Sequence, residues 1–173
     1  MNSNIFNQIR RFILLFLLQI LVFKSISLNV IGYEYLHILF YPLFILLLPL
    51  NTPRPVVVAL GFLMGICVDF FYDSIGMHAA ALTFTAFVRP QVLFFLEPRG
   101  GYNVNYSPTI RRMGSGWFFQ YATAVTILHL FFYFSVEAFT FVYIIDIILK
   151  TVLSYIASIV CILAYMFLLN PED

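Results

Sequence analysis

Few side chains in this apolar sequence could bind, ionise or react: Asp69, Asp73, His78, Arg89, Asp146 and Lys150, together with His37 and His129. Gly61, Gly65, Asp69 and Asp73 recur at four-residue spacing, which on an α-helix makes one slowly drifting stripe. The glycine half suits close approach of a second backbone. The acidic half needs neutralising, because a charged side chain at the centre of a bilayer costs about 2.5–3.5 kcal/mol on insertion scales. Asp146 and Lys150 stand at i, i+4 with the acid N-terminal, the favourable order for an ion pair. Within a membrane such a pair either ties structure together or carries ions, and the lack of further acids and histidines at similar depth favours tying. A buried charge network of Asp69, Arg89, Asp146 and Lys150 is therefore expected.

Catalytic patterns are missing. His37, His78 and His129 fall on different segments without the i, i+4 or HExxH spacing of a metal site, so each is expected to bridge helices or sit at an interface. Ser74, Ser107 and Ser115 have no nucleophile-elbow context, and Arg99-Gly100-Gly101 follows no strand that would make it a phosphate loop. Neither an enzyme activity, a cofactor nor a metal is expected. Cys67 and Cys161 lie inside apolar runs and read as reduced thiols.

The elements that position these groups follow from composition. With 62% hydrophobic and 10% charged residues and a mean hydropathy of +0.97, the chain reads as an all-α polytopic membrane bundle forming a single domain. Apolar runs predict six spans, at about residues 6–28, 35–50, 56–71, 77–96, 116–136 and 139–169, with a polar loop at about 97–115. Arg10 and Arg11 precede the first run, but no small-residue cleavage site follows it, so it reads as a retained span. Gln19 should bond a neighbouring helix. Pro42 should kink the second span, and Tyr33, Tyr35 and Tyr41 suggest an interfacial belt at its start. The small run Ala79-Ala80-Ala81 could receive the glycine stripe as an antiparallel hairpin, and Gly76 should open the turn between them. Arg89-Pro90 should interrupt the fourth helix, leaving Arg89 to snorkel, pair with an acid or face a polar cavity. Six spans with both termini cytoplasmic place Arg10, Arg11, Arg54, Arg99, Arg111 and Arg112 inside and only Lys24 outside, in line with the positive-inside rule.

Residues 51–90, NTPRPVVVALGFLMGICVDFFYDSIGMHAAALTFTAFVRP, resemble the rod shape-determining protein MreD family. The matching positions are Pro53-Arg54, Gly61, Gly65, Asp69, Gly76, His78 with Ala79–Ala81, and Arg89-Pro90. The resemblance implies a non-enzymatic scaffold of the bacterial inner membrane that serves cell shape and peptidoglycan synthesis. Such a subunit binds MreC and through it MreB and the wall-synthesising glycosyltransferase and transpeptidase. It also implies a fold similar to the substrate-binding subunits of energy-coupling-factor transporters. Gly61, Gly65, Asp69, Gly76 and His78 are the expected packing or partner-binding residues. The competing expectation is a vitamin-type transport subunit, with Asp69, His78, Arg89 and Asp146 converging on a substrate cavity.

Overall fold

Proline and left-handed residues punctuate the chain, and the long apolar runs between them form helices. The computed structural model describes residues 2–24, 36–74 and 76–169, with side chains from residue 6 onward. Helix α1, Asn2–Leu18, widens into a π-turn at Gln19–Phe23. A single helical turn, α2 (Leu43–Leu46), precedes α3 (Arg54–Tyr72) and α4 (Met77–Phe95). The short α5 (Ile110–Met113) leads into α6 (Ser115–Ala138), and a 3-10 turn at Phe141–Tyr143 leads into α7 (Ile144–Leu169). Pro55 fits the first turn of α3, where an amide hydrogen has no partner to lose. Asp73 ends that helix at φ 53° and Phe139 ends α6 at φ 52°, conformations that stop a right-handed helix.

Among the described residues, four helical stretches are long and apolar enough to cross a membrane: Phe6–Phe23, Arg54–Tyr72, Ser115–Ala138 and Phe141–Leu169. Helix α4 equals α3 in length but is more polar, carrying His78, Thr83, Thr85, Arg89 and Gln91. Pro90 does not interrupt it, because the helix continues to Phe95. The expected loop at 97–115 contains α5 and the start of α6.

The helix expected at 35–50 does not form. Residues 36–40 take no regular secondary structure, a turn follows at Tyr41-Pro42, and only Leu43–Leu46 is helical. Every residue from position 39 to 48 is nevertheless buried. Unpaired backbone groups in an apolar interior cost several kcal/mol each, so an irregular segment survives there only if side chains satisfy it. They do. His37 N–H donates to Ser154 Oγ and Leu39 N–H to Ser158 Oγ, each at 3.0 Å. Phe40 and Tyr41 N–H both donate to Gln19 Oε1, at 2.7 and 3.2 Å. Gln19 Nε2 donates in turn to Ile38 O at 3.1 Å and to the Tyr72 hydroxyl at 2.7 Å. Gln19 thus serves non-helical backbone rather than a neighbouring helix alone.

Tyr41 is fully buried and belongs to the core, not to an interfacial belt. Tyr33 and Tyr35 lie outside the described residues. At the other end of the segment, the carbonyls of Leu46, Leu47 and Leu48 receive buried donors. Arg11 Nη1 donates to Leu47 O at 2.9 Å, the Tyr121 hydroxyl to Leu46 O at 3.3 Å, and Arg89 Nη2 to Leu48 O. Cations suit this end of a helical turn, where carbonyl dipoles point outward.

Candidate functional site

The α3–α4 hairpin is built on backbone contact. A Cβ placed on Gly65 would lie 2.7 Å from both Ala79 N and His78 O and closer still to Ala79 Cα, so only glycine fits. At Gly61 the same atom would meet Leu82 O at 3.0 Å and Ala86 Cβ at 3.2 Å. The glycine stripe is therefore occupied within the bundle, against the small face of α4. Gly76, at φ 77°, supplies the left-handed residue from which α4 starts.

Close approach brings Asp69 to the first turn of α4. Its Oδ1 accepts from His78 N–H at 3.0 Å and from Ser74 Oγ at 2.6 Å, and its Oδ2 accepts from Ala79 N–H at 2.9 Å. An anion at the helix N-terminus satisfies orphan amides and complements the dipole. Asp69 is a capping residue supplied by the neighbouring helix. Asp73, by contrast, is exposed.

The second cluster joins histidines that are remote in sequence. The Tyr41 hydroxyl lies 2.9 Å from His78 Nδ1 and 2.9 Å from His129 Nε2, and His129 Nδ1 lies 2.8 Å from Thr85 Oγ1. Exposure of His78 and His129 is 0%, and Thr85 is buried as well. Sequence spacing could not reveal this cluster, because Tyr41 lies in the irregular segment that bridges α4 and α6.

Arg89, also buried, donates from Nε to the Tyr121 hydroxyl at 3.0 Å, and Tyr121 and carbonyl groups take the place of the expected acid. Lys150 bonds Glu137 at 2.8 Å across the α6–α7 turn instead of Asp146. The left-handed Phe139 reverses the chain and lays Glu137 beside Lys150, a proximity that i, i+4 counting overlooks. Arg89 sits eleven residues along α4 from His78, roughly 16 Å at about 1.5 Å per residue, so the four expected charges do not converge. Asp69 and His78 stand at one end of the bundle and Arg89 at the other.

The loop over the arginine end is tied down by side chains. Tyr102 donates to Leu93 O at 2.8 Å and Trp117 Nε1 to Leu96 O at 2.7 Å. Burial pushes the Tyr102 hydroxyl up to about 12, so it remains a donor across the physiological range. Arg112 lies over the Tyr106 ring, 4.1 Å from its centroid.

Comparison with protein-family models, with curated proteins and with solved structures finds no match. What the chain offers to a ligand or partner is thus read from its own surface. A groove of about 830 Å³ runs along the outside of the α3–α4 hairpin between Phe62, Ile66 and Phe70 on one wall and Gly76, Ala80 and Thr83 on the other. A second, of about 580 Å³, lies between α1 and α3, with Phe12, Leu60 and Leu63 at its apolar part and Gln8, Asn51, Thr52 and Asn105 at its polar part. Both open on the outside of the bundle, where Phe62, Leu63 and Phe70 are exposed. Among the described residues, no group of three or more His, Cys, Asp or Glu is placed to hold a metal ion.

Proposed function

We propose that the chain is a non-enzymatic adaptor of the MreD type in the bacterial inner membrane, binding MreC and through it the wall synthases and MreB. The observation that carries this proposal is the α3–α4 hairpin. The residues on which the MreD resemblance rests, Gly61, Gly65, Asp69, Gly76 and Ala79, are the ones that lock the two helices together and shape the groove of about 830 Å³ beside them. That groove has small residues on one wall and Asp73 at its acidic end, features suited to a single transmembrane helix with a basic residue at its outer end.

We also propose six crossings with both termini cytoplasmic. Tyr41 meets His78, and Leu48 meets Arg89, so this stretch travels roughly 16 Å along α4 at about 1.5 Å per residue. Residues 36–40 can add at most roughly 16 Å at about 3.3 Å per residue. Together they approach the ~30 Å hydrocarbon thickness, and the segment is thus the second crossing, irregular but covered by protein. Lys24, bonded to Phe71 O, marks the outer end; Arg11, Arg54, Arg89 and Arg99 lie toward the inner one.

A substrate-binding subunit of the energy-coupling-factor type is the second reading. It is favoured by one observation, the broken segment, since discontinuous helices line substrate sites in many transporters. Here the polar atoms of that segment are mostly bonded to Gln19, Ser154, Ser158, His78 and His129. Co-purification separates the two. Tagged MreC is expected to retain the wild-type chain and to lose an Ala80→Trp variant that inserts normally. Thermal stabilisation by a vitamin, with no MreC retained, would replace the adaptor by the transport subunit.

A further inference from the structure

The hydrogen bonds around Tyr41 have a direction. Thr85 Oγ1 donates to Ala81 O at 2.8 Å, so toward His129 it acts as an acceptor and His129 Nδ1 carries the hydrogen. Neutral His129 then presents a bare Nε2, which accepts the Tyr41 hydroxyl hydrogen. The Tyr41 oxygen is left to accept from His78 Nδ1–H. Each donor has an acceptor along this row, and the row ends on one atom without a partner, His78 Nε2, which is buried.

A bare imidazole nitrogen in an apolar interior is a proton acceptor. The rings of Tyr41, Tyr72 and Tyr133 pack around His78, at 5.3, 4.9 and 4.8 Å between centroids. Asp69 holds the backbone N–H of His78 itself. The titratable groups facing His78 are Asp69 and Tyr72 from α3, Tyr41 and His37 from the irregular segment, and Tyr133 and His129 from α6. Of these groups Asp69 favours a positive charge on His78 and His37 opposes it.

We propose that His78 is an intramembrane proton-binding site, coupled to His129 through the Tyr41 hydroxyl. A proton entering from the Asp73 end adds to His78 Nε2 and gives an imidazolium whose Nδ1–H already points at Tyr41. Onward transfer moves two hydrogens. His78 Nδ1–H passes to the Tyr41 oxygen as the Tyr41 hydrogen passes to His129 Nε2. One proton is gained in all, and His78 returns to neutral with its hydrogen on Nε2. The row stops at Thr85 and Ala81 O, so the cluster stores a proton rather than conducting it across the membrane.

Nitrogen-15 spectra of histidine-labelled protein in lipid nanodiscs, followed from neutral pH down to the acid unfolding transition, test this. In the wild-type chain the first proton is shared, so the His78 and His129 ring signals are expected to move together in the first macroscopic step. In Tyr41→Phe the His78 signal still moves and the His129 signal does not. In Asp69→Asn the His78 midpoint falls to lower pH. A His78 Nε2 that stays unprotonated until the wild-type chain unfolds, or a His129 signal that ignores His78, would overturn the proposal even if neither variant folds.

Discussion

Gln19 Nε2 donates to the carbonyl of Ile38 at 3.1 Å, the acceptor that an amide hydrogen at position 42 would have used in an α-helix and that Pro42 leaves open. A side chain from α1 thus substitutes for a backbone group that proline lacks, while its Oε1 takes the amides of Phe40 and Tyr41. The π-turn that begins at Gln19 places this carboxamide beside the segment. The irregular segment exists because another helix carries its missing hydrogen bonds.

Removing those bonds has a graded cost. Gln19→Leu strands the Ile38 carbonyl and two buried amides, so it should destabilise the fold more than Ser154→Ala or Ser158→Ala, each of which strands one amide. A single unsatisfied buried group costs about 1–3 kcal/mol. Hydrogen exchange reads the site directly: Ser154→Ala should expose the His37 amide and Ser158→Ala the Leu39 amide, each leaving the other protected.

The glycines of α3 should not be equivalent. Gly65→Ala sets a methyl against the backbone of Ala79 and should cost about 3 kcal/mol or more, since neither helix backbone can yield without unseating the Asp69 cap. Gly61→Ala, with Leu82 O at 3.0 Å, should cost about 1 kcal/mol. Unfolding midpoints in one detergent rank them. Equal midpoints would contradict the close approach of α3 and α4 at Gly65.

The cation on α7 answers to α6. Glu137→Gln and Lys150→Met should have the same small effect, below about 1 kcal/mol because both groups are partly exposed, and the double variant should add nothing. Asp146→Asn should leave stability unchanged. A larger effect of Asp146→Asn than of Glu137→Gln would restore the i, i+4 pair.

The hairpin was legible in the sequence because its cause is local: glycines four apart, an acid one turn later, then a turn and a run of alanines. The irregular segment was not, since hydropathy scores a non-helical apolar run and an apolar helix alike. Its signals were scattered: Pro42 and Pro49 against helix, with Gln19, Ser154 and Ser158 in the apolar runs that supply its partners. The spacing of those serines has a physical reading. Four residues on a helix advance about 6 Å and two in an extended chain about 6.6 Å, so Ser154 and Ser158 keep register with His37 and Leu39. The partner of Lys150 and the meeting of the histidines at Tyr41 escape sequence reading for a shared reason. Their partners come from other elements, and one-dimensional spacing cannot see across a left-handed turn or an unwound segment.

The proposed adaptor would receive MreC in the groove on the outside of the α3–α4 hairpin. Photo-crosslinking in living cells, with the reactive residue placed in turn at Phe62, Ala80 and Thr83 in the groove and at Val160 on the exposed face of α7, tests it directly. Capture of MreC from the three groove positions and not from Val160 is the predicted result. Capture of MreC from Val160 alone, or of an ATP-driven transport module from the groove, would contradict it.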